Sequence, residues 1–85
     1  KDGYLDGEKN VFTYPGEGSC RVGDCIRLLI ERGYDAGYSI EPHIASIIHL
    51  GDATMDKEQV MYESYLTYGR KLMALYDRAA KAAAV

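Results

Sequence analysis

Between two amphipathic helical stripes, the 85-residue chain carries one short strand-like segment, Gly37-Tyr38-Ser39-Ile40-Glu41, closed by Pro42. Proline cannot donate to a ladder, so a strand there ends at about Glu41, with a carboxylate as its last residue. A lone strand has two open edges and no partner for its N–H and C=O groups, which is costly for buried backbone. Helix, three-residue turn, strand and helix is the rhythm of α/β proteins, so the strand's neighbours are expected in sequence outside these residues.

The flanking elements follow from spacing. Val22, Cys25, Ile26, Leu29 and Ile30 recur at steps of three, one, three and one, which predicts a helix over 21–33. Gly33 falls where a left-handed C-terminal cap belongs, and Asp24 either caps the helix or faces its positive end from the first turn. Asp56 can open a second helix over 56–82, striped by Met61, Tyr65, Tyr68, Leu72, Tyr76 and Ala79. Its tyrosines read as packing groups, and the tail AAKAAAV is expected to fray. Residues 1–20, with Gly3, Gly7, Pro15, Gly16 and Gly18 among polar neighbours, have loop composition. Residues 43–54 read as loop and partly apolar sequence, including Ile44-Ala45-Ser46-Ile47-Ile48.

Composition excludes several partners. The net charge is −3 and Lys and Arg alternate with Asp and Glu, which gives no footprint for nucleic acid or an anionic membrane. No apolar run approaches the roughly 20 residues of a membrane span. Cys20 and Cys25 have no matching pair elsewhere, so they read as reduced thiols in a soluble, cytoplasmic protein.

The stretches PGEG (15–18), LLIERGYDAGYSIEPH (28–43) and YLTYGRKLMALYDRAAK (65–81) resemble the C-terminal end of the sugar phosphate isomerase/epimerase family, the xylose isomerase-like TIM barrels. The resemblance implies an α/β fold, the last part of a (β/α)8 barrel. In it, 1–20 is the loop after strand seven, 21–33 a helix, 37–41 strand eight and 56–82 the closing helix. Lys1-Asp2 is similar to the end of the family's His-x-Lys-Asp segment, and Ala36 stands where the family often has glycine. The resemblance also implies a divalent metal, Mn, Co, Mg or Zn, at the barrel mouth.

Glu41, in Ser-Ile-Glu-Pro, matches the family's final metal ligand; the family's other three ligands match nothing in this chain. A carboxylate at the C-terminal end of a barrel strand suits that role independently. His43, two residues on, is a candidate substrate contact, with a structural histidine as the alternative. Lys1, Asp2 and Glu17 are candidate substrate contacts by their places at the rim and in the Gly16–Gly18 turn, each with a plain turn or surface role as the alternative. His49 has no partner at metal-ligand spacing and reads as a packing or loop residue.

The expected function is part of a metal-dependent sugar, sugar phosphate or cyclitol isomerase/epimerase working through an enediolate, with the 85 residues inactive alone and a homo-oligomer allowed. The alternatives are another reaction on the same barrel, such as inosose dehydration or the superfamily's endonuclease chemistry, and a free-standing, non-catalytic α+β binding or assembly module.

Overall fold

The computed structural model describes residues 1–43 and 57–83. Its elements are strands β1 (Asp2–Asp6) and β2 (Lys9–Thr13) and helices α1 (Val22–Glu31) and α2 (Lys57–Ala83).

The first element corrects the loop expected over 1–20. β1 and β2 form a two-stranded antiparallel hairpin, registering Asp2 with Thr13, Tyr4 with Val11 and Asp6 with Lys9. Only Gly7 and Glu8 connect the strands, and Gly7 has φ 63°. Glycine first in a two-residue turn is the type II′ pattern, whose twist matches that of the strands it joins. Gly3 lets the strands meet, because a Cβ there would stand 2.7 Å from the Val11 carbonyl oxygen.

The expected barrel segment is overturned by this hairpin. A (β/α)8 barrel needs parallel strands separated by helices; here the strands are consecutive, antiparallel and paired with each other, followed by two helices. The expected strand over 37–41 is also absent: 37–43 is irregular. Aromatic and β-branched content favours a strand only where a neighbouring strand takes its hydrogen bonds, and the hairpin offers this segment none. Its backbone is set instead by side chains, with the Tyr34 hydroxyl donating to the Gly37 carbonyl at 2.7 Å and the rings of Tyr34, Tyr38 and Tyr76 meeting edge to face.

α1 ends as its sequence requires. Gly33 (φ 82°) donates to the Ile30 carbonyl at 3.0 Å and Tyr34 to that of Leu29 at 2.9 Å, the paired bonds of a Schellman cap. At the other end Asp24 lies in the first turn, paired with Arg21 at 3.0 Å. Ile26 is the buried centre of the stripe, flanked by Val22 and Ile30, while Cys25 and Leu29 are exposed.

α2 runs to Ala83, through most of the tail expected to fray. Its buried residues are Val60, Ser64, Tyr68, Leu75 and Ala79, with Leu72 partly buried, so the packed face is rotated from the expected stripe. Met61, Tyr65 and Tyr76 of that stripe are exposed. Helical spacing identifies an apolar face, but the partners decide which edge of a broad one is covered. The core joins Ile26 to Leu75 and Ala79, and Gly23 allows it: a Cβ there would approach Leu75 Cδ1 to 3.1 Å. Among the described residues no helix is long and apolar enough to cross a membrane. Asp56 and His49 lie outside the described residues.

Candidate functional site

The site is built on the first strand residue. Asp2 is buried, and its two carboxylate oxygens accept four backbone N–H groups: Gly3 at 2.8 Å and Cys20 at 3.1 Å on Oδ1, Gly16 at 2.8 Å and Gly18 at 3.1 Å on Oδ2. The loop over 14–20 is thereby folded onto the hairpin. Burial pushes the Asp2 pKa up, but the four N–H bonds outweigh it and hold the carboxyl below its ordinary value. Asp2 is thus a loop organiser with both oxygens occupied, which corrects its expected place among substrate contacts.

Anchoring Asp2 also places its neighbour. Lys1 Nζ stands 3.4 Å from Glu41 Oε1, and His43 Nε2 stands 3.5 Å from the same oxygen. Lys1, Glu41 and His43, three of the residues singled out from the sequence, therefore converge although the first lies 40 positions from the second. The hydrogen bond and charge of Lys1 hold the Glu41 carboxyl below its usual range, with a smaller contribution from His43, against a slight opposing effect of burial. Glu41 is exposed to solvent and fully ionised at neutral pH.

Phe12 fixes the imidazole. Its ring stacks on His43 with centroids 4.0 Å apart and planes 10° apart, and His43 Nε2 is buried without a hydrogen-bond partner. Phe12 is a site residue that the sequence reading missed, and Asp6-Gly7 between Tyr4-Leu5 and Val11-Phe12 is the hairpin signal that would have found it. Tyr68, read from sequence only as a packing group, lies beneath: it is 1% exposed, and burial first, then the charges of Asp2 and Glu41, raise its pKa.

Glu17 is not in the cluster. It pairs with Lys71 of α2, whose ammonium lies 4.6 Å from the centroid of the Tyr14 ring, while Tyr14 leans on Tyr68 at 5.9 Å. That pair ties the loop tip to the helix.

No protein-family model, curated protein or solved structure matches the chain. Its chemistry is therefore read from the cluster alone.

A divalent ion is the first group to test against this geometry. Two donors on one tetrahedral ion with bonds of about 2.0–2.1 Å lie roughly 3.4 Å apart, close to the 3.5 Å between Glu41 Oε1 and His43 Nε2. The same oxygen, however, faces the Lys1 ammonium, and among the described residues no three His, Cys, Asp or Glu side chains are grouped to hold an ion. The described residues thus fall short of a metal site by themselves. What the cluster does provide is an ionised carboxylate, a cation and an oriented imidazole with an open nitrogen.

Proposed function

We propose that Lys1, Glu41 and His43 are the chain's contribution to a sugar, sugar phosphate or cyclitol isomerase or epimerase that works by proton transfer beside a carbonyl. The observation that carries this reading is the sharing of Glu41 Oε1 between the Lys1 ammonium and the His43 imidazole.

Such a reaction needs a base at the carbon next to the carbonyl, a positive charge at the carbonyl oxygen and a donor or acceptor that orients a hydroxyl. Glu41 is the base in this assignment. The C–H proton passes to its carboxylate, the electron pair moves to the carbonyl oxygen, and the enediolate results; returning the proton to the other face gives an epimer, and to the neighbouring carbon an isomer. While Lys1 holds Glu41, that carboxylate is a weak base. A substrate oxygen that draws the ammonium away stabilises the enediolate and restores the basicity of Glu41 in one movement. His43, held by Phe12, orients a substrate hydroxyl through Nε2. The resemblance also points to a divalent ion, which would polarise neighbouring substrate oxygens, with Glu41 and His43 as two of its donors and the remainder supplied from outside the described residues. The two free thiols suit a cytoplasmic setting.

The test is deuterium wash-in from D2O at the carbon beside the carbonyl, over a panel of ketoses, aldoses, their phosphates and inososes, with Mn, Co, Mg or Zn added in turn. Exchange that disappears in Glu41→Gln supports the reading. No exchange with any pair of metal and substrate overturns it, and favours the second reading, a non-catalytic α+β assembly module, for which the exposed apolar face of α2 speaks.

A further inference from the structure

The solvent-facing side of α2 is neither polar nor covered. Tyr62, Tyr65, Gly69, Met73 and Tyr76 follow one another at steps of three, four, four and three, so they share one face of the helix. The side chains are bare: Tyr62 is 64% exposed, Met73 68%, Tyr65 45% and Tyr76 39%. Next to them a groove of about 330 Å³, lined by Ile26, Tyr38, Leu72, Met73, Tyr76 and Asp77, opens toward the same side.

We propose that this face pairs with the same face of a second copy of the chain, antiparallel, with the two helices crossing at Gly69. Three observations choose that occupant. The step pattern is symmetric about Gly69, so a two-fold axis there sets Tyr62 against Tyr76 of the second copy and Tyr65 against its Met73, the self-complementarity that a two-fold interface demands. At the centre of the stripe stands its one residue without a side chain, and a Cβ built at Gly69 meets nothing within 4 Å, which leaves room for a second backbone to approach closely. The surface also has the area to spare. The chain exposes 6323 Å², whereas a compact monomer of its mass exposes about 5,000 Å². The excess of about 1,300 Å² exceeds the roughly 800 Å² that each partner gives to a standard interface. Tyrosine and methionine are residues that such interfaces favour, and Tyr76 is already held in place by the Tyr38 ring at 5.5 Å.

Sedimentation equilibrium of the full chain measures the pairing, and cysteine cross-linking locates it. The wild type is expected at twice its 9.5 kDa, about 19 kDa, and Met73→Glu is expected to weaken association at least tenfold while helix content by circular dichroism is kept. In a Cys20→Ser, Cys25→Ser background, Gly69→Cys should cross-link to a dimer on mild oxidation, and Ala74→Cys, on another side of α2, should not. A wild-type monomer at high concentration overturns the proposal, as does a dimer in which Gly69→Cys fails to cross-link. If Gly69→Cys also stays monomeric in a longer polypeptide containing this chain, another segment of that polypeptide covers the face, and the proposal is equally lost. The cross-link needs no folded Met73→Glu variant, so the two arms stand independently.

Discussion

Gly18 gives its backbone N–H to Asp2 Oδ2 at 3.1 Å from a position where a Cβ would stand 2.5 Å from Asp2 Oδ1. The carboxylate and the glycine therefore specify each other: Asp2 can gather the loop only because the loop presents bare backbone to it. That contact fixes where β1 begins, and with it the direction from which Lys1 reaches Glu41.

Replacing the carboxylate is expected to release the loop. Asp2→Asn keeps one acceptor oxygen and turns an amide toward the N–H groups that Oδ2 served, leaving Gly16 and Gly18 unpaired. At about 1–3 kcal/mol for each unsatisfied buried group, the loss is about 2–5 kcal/mol by urea unfolding. The folded pKa of Asp2 lies below the unfolded value of about 3.9. Its contribution is therefore fully present above that value and is lost as pH falls through the lowered folded pKa, so wild type and Asp2→Asn should converge in stability only in acid.

Gly18→Ala and Gly33→Ala should differ. At Gly18 the new methyl meets backbone and a fixed carboxylate, with the Gly3 carbonyl oxygen also at 2.5 Å, so something must shift. At Gly33 space is open and only the φ of 82° is strained, at a cost of about 1–2 kcal/mol. Thermal melts should rank Gly18→Ala as the more damaging.

Lys1→Met should raise the Glu41 pKa toward the ordinary carboxylate value, because Lys1 is the larger cause of its depression. A carboxyl-carbon NMR titration reads the shift directly. If proton transfer proceeds as proposed, the same variant loses turnover, because the charge on the enediolate goes unmatched.

Tyr68 separates ring from hydroxyl. Its hydroxyl is buried with no hydrogen-bond partner while its ring is the most deeply buried large side chain among the described residues. Tyr68→Phe should leave stability unchanged or higher, whereas Tyr68→Ala should cost about 3–5 kcal/mol. Denaturant midpoints at constant slope distinguish the two.

The helices were legible because their signals are local. Steps of three and four over Val22–Ile30 and a glycine at 33 suffice for α1, since the Schellman bonds to Ile30 and Leu29 involve only neighbours. The hairpin was equally local but disguised: Gly3 and Gly7 look like loop composition until Asp6-Gly7 is read as a two-residue turn between Tyr4-Leu5 and Val11-Phe12. Gly37–Glu41 failed in the opposite direction, having the composition of a strand and no edge to pair with.

The site divides the same way. Glu41, His43 and Lys1 could be nominated by residue type and by resemblance, but nothing near Glu41 in sequence announces that Lys1 faces it from 40 positions away, or that Phe12 flattens His43 into place. Glu17 and Asp2 were nominated on the same grounds and turned out to hold the loop.

From sequence alone came the helical stretches, their caps and the chemical identity of the polar groups, because these depend on spacing within a few residues. Strand partner, the buried edge of α2 and the meeting of Lys1 with Glu41 were decided only in the tertiary structure, because each depends on hydrogen bonds or packing between segments far apart in the chain, and one segment does not encode which distant surface will meet it.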